Sequence, residues 1–325
     1  MTPTIALAAV LLSVSPLPAD APAERGTARF VPTAQESQIA ERFRLSDHTF
    51  AWQAQRMQTV TETLEVWDLT FPSPVVTPHE PNNLVHCEYY RSRQPGKRPA
   101  VIVLHILGGD FELSRLFCNA LAQYGANALF VKMPYYGPRR DPDSPRRMVS
   151  PDPRETVAGM TQAVLDIRRA TAWLAGRDEV DPQQLGIFGI SLGGITSSLA
   201  ASAEPRLKNV CLLLAGGDIG GLSWDAPRLG SVRRQWLAQG GTRDEFVETL
   251  RAIDPVTYAA SVRGRRILML NARDDEIIPR QCTLSLWKAL GEPEILWYSG
   301  GHYSVIIHLF AALARVGEFF TAGPN

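Results

Sequence analysis

The chain has 325 residues, 45% of them hydrophobic, with 33 Lys plus Arg against 33 Asp plus Glu and a formal net charge of zero. That size and apolar fraction suit one large α/β domain with a sizeable core. The balanced charge argues against nucleic acid as the main partner, because phosphate binding is driven by clustered Lys and Arg that release counterions.

Residues 5–14 are an unbroken run of apolar and small residues, too short to span a bilayer, with small-residue exits at Ala19 and Ala23. Residues 1–23 are therefore expected to be an export signal, although no Lys or Arg precedes the run. This predicts a secreted or periplasmic protein with no stable membrane insertion after cleavage, and residues 24–325 as a single domain. Cys87, Cys118, Cys211 and Cys282 are far apart and show no CxxC or Cys/His ligand spacing. No metal site is expected of them, and the sequence leaves open whether they pair or stay free in the core.

Residues 35–43 and 50–60 read as short helices. Residues 64–71 and 84–91 carry β-branched and aromatic side chains and are interrupted by Pro72, Pro74, Pro78 and Pro81, so they read as edge strands. After Pro99 the pattern changes. Residues 100–104 are a short apolar run of the kind a strand buried on both faces presents. A helix is predicted over 112–124 and a strand over 128–131. A long helix over 154–175 has Val157, Met160, Val164, Ile167 and Leu174 on one face. Strands at 185–190, 210–215, 267–270 and 295–298 follow, with a helix at 193–203 and helices after the last two strands. Strands alternating with helices mean a mainly parallel sheet covered on both faces. Residues 216–265 are too long for an ordinary crossover and are predicted to form a helical cap or lid over the carboxyl ends of the strands, where ligands bind in open α/β sheets.

Gly189-Ile190-Ser191-Leu192-Gly193 is a G-x-S-x-G motif between a predicted strand and a predicted helix. A sharp strand-to-helix turn would lift the Ser191 hydroxyl above the sheet and aim the Leu192 amide at a developing oxyanion. A serine needs a base, and His302, in Ser299-Gly300-Gly301-His302-Tyr303 after the last strand, is placed for that role. The base needs a carboxylate to fix its tautomer. Asp274, Asp275 and Glu276 follow the preceding strand, and Asp275 is preferred. The loop His105-Ile106-Leu107-Gly108-Gly109-Asp110 is placed to supply the second oxyanion amide, with His105 bracing it. Tyr135 and Trp224 are candidate substrate-binding residues, beside Tyr136 and Trp236. Arg139, Arg140, Arg146 and Arg147 follow a central strand and could attract anionic substrates.

From about Leu64 to Phe320 the chain resembles the α/β-hydrolase superfamily. Four elements match in order: H-x-x-G-G at His105 to Gly109, the elbow at Gly189 to Gly193, D-x-x-x-P at Asp275 to Pro279, and G-G-H at Gly300 to His302. Asp254-Pro255-Val256-Thr257-Tyr258-Ala259 is similar to the equivalent stretch of dienelactone-hydrolase-like and acetyl-xylan-esterase-like members. Met133-Pro134-Tyr135-Tyr136-Gly137-Pro138-Arg139 resembles the P-Y-Y-G-x-R element of a smaller hydrolase-domain group. The resemblance implies an α/β-hydrolase fold with about eight sheet strands. It also supports Asp275, four residues before Pro279, as the acid. Its usual oxyanion position is Leu107. Ile106 stands where many members have Gly, so Gly108 and Ile106 remain alternatives. Ser191, where dienelactone hydrolases have Cys, points to ester hydrolysis without a metal or organic cofactor. The expected substrate is a small-molecule or polymer-borne ester. A peptidase or acyltransferase on the same three residues, or a catalytically silent binding protein, are the alternatives.

Overall fold

The computed structural model describes residues 22–109, 111–226 and 229–323, so the expected export signal lies outside the described residues except for its last two positions. In chain order the strands are β1 (Ala23–Phe30), β2 (His48–Thr61), β3 (Leu64–Pro72), β4 (Leu84–Ser92), β5 (Arg98–Leu104), β6 (Asn127–Val131), β7 (Val180–Ile190), β8 (Asn209–Leu213), β9 (Arg266–Ala272) and β10 (Glu294–Tyr298). The helices are α1 (Glu112–Gln123), α2 (Pro153–Ala175), α3 (Leu192–Ala203), α4 (Ile219–Asp225), α5 (Gly230–Ala238), α6 (Arg243–Arg251), α7 (Pro255–Tyr258), α8 (Arg280–Ala289) and α9 (Leu309–Thr321).

The ten strands make one sheet in the order β1-β2-β3-β4-β6-β5-β7-β8-β9-β10. From β6 to β10 all neighbours are parallel. The strands β1 to β4 pair antiparallel, and β4 joins β6 in the same sense. The reason lies in the apolar patterning. Along β5, Ala100, Ile102 and Leu104 join the core beneath α2 and α3, while Val101 and Val103 join the core beneath α1 and α9. A strand with apolar residues at every position is stable only when both faces are covered. The helices that cover them begin on sequence signals: Asp152 caps α2 by accepting from the Arg154 amide at 2.9 Å, and Pro153 occupies the first turn.

Three expectations are corrected here. Residues 50–60 are not a helix but the body of β2. Phe50, Trp52 and Ala54 turn inward while Ala51, Gln53 and Gln55 are exposed, a two-residue period, and pairing to β1 and β3 overrides the helix-forming Gln, Ala, Arg and Met. The strands at 64–71 and 84–91 are interior, not edge: Pro72 is the last residue of β3 and the other prolines lie in the loop, so no ladder bond is lost. The sheet accordingly has ten strands, because β1 and β2 extend it on one side.

The segment 216–265 folds as α4 to α7 and a short 3-10 turn. There α4 packs on α6, α6 on α2, and α7 on α3. The four cysteines are buried free thiols.

Candidate active site

The elbow forms because glycines permit it. Ser191 itself has φ 54° and ψ −115°, a backbone conformation L-residues rarely adopt. A Cβ on Gly193 would stand 2.6 Å from the Leu104 carbonyl oxygen and 2.7 Å from that of His105. A Cβ on Gly189 would overlap the Gly193 carbonyl and come within 2.6 Å of Ser197 Oγ. The motif's glycines are therefore steric requirements of three segments meeting. Gly189→Ala and Gly193→Ala are each expected to cost about 2–3 kcal/mol of stability, read as a lower urea midpoint at unchanged slope. Unshifted midpoints would mean the elbow has room that these contacts deny.

The loops after β9 and β10 zip together beside Ser191. The Arg273 amide donates to the Tyr298 carbonyl at 2.9 Å, and the Asp274 amide to the Gly300 carbonyl at 3.1 Å. Gly300 has φ +108°, and a Cβ on Gly301 would run into the Glu276 carboxylate. These two glycines let the loops close and carry His302 inward. His302 Nε2 lies 3.0 Å from Ser191 Oγ, and its Nδ1 lies 2.8 Å from Asp275 Oδ2. All three side chains are buried. With Nδ1–H donating to the carboxylate, Nε2 is left to accept the serine proton. Asp275 Oδ1 accepts from the Ile277 and Ile278 amides at 2.9 and 2.7 Å, which locks the carboxylate. Asp274 is exposed, and Glu276 accepts the His302 backbone amide at 2.9 Å without reaching the ring.

The 105–109 loop lies against the start of α3, as the Gly193 approach requires. His105 Nδ1–H donates to the Ile106 carbonyl at 2.8 Å, and its Nε2 accepts the Met133 amide at 3.1 Å. Burial pushes its pKa down to about 4, so the ring is neutral near pH 7 and suits this bracing tautomer. The Gly109 amide also reaches the Ile106 carbonyl, at 3.4 Å. Gly108 and Gly109 have φ +94° and +76°, which other residues resist.

Ser191 and His302 open into an apolar cavity of about 340 Å³. Ile106 and Leu107 come to it from the oxyanion-side loop, Leu113 and Phe117 from α1, and Ile190, Leu213 and Leu214 from strand ends. Tyr303, Val305, Ile306, His308, Leu309 and Ala312 form the remaining side, with Ile277 and Tyr298. Residues 303–312 were not singled out by the sequence reading. The available signal was the stretch 295–314, which contains no Asp, Glu, Lys or Arg.

Tyr135 and Trp224 do not line this cavity, and neither does any described residue of 216–265. Tyr135 is buried against His79 and under Arg146, whose guanidinium lies 4.6 Å from the ring centre. Trp224 packs on Phe246 within the inserted helices, and Trp236 packs on the same ring. Arg139 is wholly buried, with Nη2 2.8 Å from Asp166 Oδ2, so it is a structural cation and not a substrate lure. A larger open hollow of about 550 Å³ has the ion-paired Glu65, Arg91 and Glu179 in its lining, and its one serine, Ser92, has no histidine among the lining residues. Among the described residues no group of three His, Cys, Asp or Glu side chains converges as a metal site would require.

The fold is shared with solved esterases. Acetyl xylan esterase 1 from Thermoanaerobacterium sp. superposes with a TM-score of 0.65 at 20% identity, over 83% of this chain and 87% of that one. The acetyl xylan esterase of Paenibacillus sp. R4 gives 0.63 at 19%, over 82% and 88%. In sequence, an uncharacterized protein of Mycobacterium tuberculosis strain H37Rv is 31% identical over 227 residues, 65% of this chain and 51% of that protein. The chain thus spans about half the length of such curated relatives. Esterase YjfP of Escherichia coli K12 is 21% identical over 194 residues, 60% of this chain and 75% of that protein. The family model described as alpha/beta hydrolase domain containing 18 matches residues 35–220, more than half of the chain, and the protein belongs to that α/β-hydrolase family.

Proposed function

We propose that the protein is a carboxylic-ester hydrolase that works through Ser191, His302 and Asp275 by way of an acyl-enzyme. The observation that carries this reading is the continuous relay from Ser191 Oγ through both His302 nitrogens to Asp275, at 3.0 and 2.8 Å. In the first half-reaction Ser191 Oγ attacks the ester carbonyl while His302 Nε2 takes its proton, then returns it to the departing alkoxide. In the second, water gives its proton to His302 and attacks the acyl-serine, the acyl C–Oγ bond breaks, His302 returns the proton to Ser191 Oγ, and the acid leaves. Leu192 is the first residue of α3, so its amide N–H is one of those a helix leaves without an intrahelical partner. Leu107 is the favoured second donor. In a trans peptide its N–H points opposite to the Ile106 carbonyl, which His105 and Gly109 hold from the other side. The relative Esterase YjfP, by its name an esterase, agrees with this chemistry.

The cavity wall is aliphatic and aromatic, which favours an apolar acyl group over the acetyl group of the xylan esterases that share the fold. For nitrophenyl esters from acetate through hexanoate to decanoate, kcat/KM is expected to rise about 3- to 4-fold per methylene until the cavity is full, since burying a CH₂ contributes about 0.8 kcal/mol. A maximum at acetate would sink this assignment of the cavity.

A further inference from the structure

We infer that the face around the mouth of the catalytic cavity docks on the surface of an uncharged lipid layer. Tyr303, Ile306, Ile307 and Phe310 are exposed at 69, 51, 74 and 66%. Their spacing of three, four and seven residues puts them on one side of the 3-10 turn Ser304–His308 and the first turn of α9. Leu107, itself 54% exposed, stands across the mouth. Single exposed apolar side chains are ordinary, but a contiguous set of large ones marks an interaction surface.

The stretch Ser304–Thr321 is long and apolar enough to cross a membrane by composition alone. It does not span one in this fold, because Leu313, Val316, Phe319 and Phe320 on the other side of α9 are buried in the core against α1 and the sheet. What remains outside is a short apolar face that would lie in an interface rather than cross it.

Two observations select the occupant. The face is continuous with the cavity: Leu107, Tyr303 and Ile306 are both exposed and cavity-lining. A second copy of the chain pressed on it would close the cavities of both, whereas a lipid layer covers the same side chains and leaves the cavity open to apolar molecules within it. The segment that presents these side chains also carries no charge. Residues 295–314 include no Asp, Glu, Lys or Arg, and Arg315 is held by Glu294 at 2.8 Å. Adhesion is therefore hydrophobic, indifferent to anionic headgroups and insensitive to salt.

The full chain is mixed with phosphatidylcholine vesicles and sedimented at low and high salt, beside the double variant Ile307→Asp/Phe310→Asp. Neither residue lines the cavity. Wild type is expected to sediment with the vesicles at both salt concentrations, and the variant to partition at least about tenfold less. Because the variant retains the apolar run at residues 5–14, such a loss maps to the face and not to that run. An unchanged thermal midpoint reports that the variant is folded, so this outcome stands whether or not the ester-hydrolase reading does. If that reading holds, the variant also hydrolyses a soluble short-chain nitrophenyl ester within about twofold of wild type. The inference is overturned if wild type stays in the supernatant, if the variant sediments equally, or if binding requires anionic lipid. It is also overturned if light scattering shows a wild-type dimer that the substitutions dissociate.

Discussion

Ser191→Ala is expected to lower kcat on a nitrophenyl ester by about 10³-fold or more and to abolish labelling by a fluorophosphonate. The substitution removes the oxygen that lies 3.0 Å from His302 Nε2 and nothing else from the cavity wall. The backbone at φ 54° is no worse for alanine than for serine, and the Ser191 amide keeps its 2.8 Å bond to the Leu213 carbonyl. The fold should therefore be retained, and residual turnover should reflect oxyanion stabilisation and binding without a nucleophile. Substrate affinity should change little, since the acyl cavity is untouched. Near wild-type turnover in the variant would mean that the reacting group lies elsewhere.

Asp275→Asn is expected to lower kcat by at least about 10²-fold with KM within a few-fold, and Asp274→Asn to stay within about 10-fold of wild type. The geometry gives the reason. Asp275 Oδ1 accepts two backbone amides, at 2.9 and 2.7 Å, and Oδ2 faces His302 Nδ1 at 2.8 Å. An asparagine would keep its carbonyl oxygen on the two amides and so present its NH₂ to the ring. His302 would then carry its proton on Nε2 and could no longer accept one from Ser191. The shape of the site would survive while the tautomer is wrong, which is why the loss falls on kcat. Asp274 is exposed and reaches neither the ring nor the serine. Purified variants assayed at neutral pH decide it. The reverse ranking would move the acid role to Asp274, and two near-normal enzymes would mean that the acid comes from elsewhere, with Glu276 the first place to look.

Much of this was legible before any coordinates. The parallel half of the sheet was readable because strands buried on both faces must be apolar at every position, as residues 100–104 and 185–190 are. The elbow was readable because close packing between Leu104, His105 and α3 tolerates only glycine at 189 and 193. The order of serine, acid and histidine, and the choice of Asp275 over Asp274, came from the resemblance to the α/β-hydrolase superfamily, whose acid stands four residues before a proline as Asp275 does before Pro279. The structure brings together the same three side chains.

Other features depended on contacts between distant segments. Whether 50–60 became helix or strand was decided by β1 and β3 on either side of it, since its own residues suit both states. Tyr135 and Trp224 were named as aromatic residues near predicted loops, but the direction of a side chain is set by its packing partners, and theirs turn them into the interior. Arg139 looked like surface charge until Asp166, on α2, enclosed it. The wall of the cavity was hidden for the same reason. Composition marks residues 303–312 as apolar, yet only the packing of α9 on α1 decides which of them face the core, which line the cavity beside His302, and which are left outside. Local sequence determined the turns, caps and reactive groups, because these rest on backbone conformation and short spacings. The tertiary structure alone decided the shape and polarity of the space around Ser191, because that space is bounded by side chains from segments far apart in the chain.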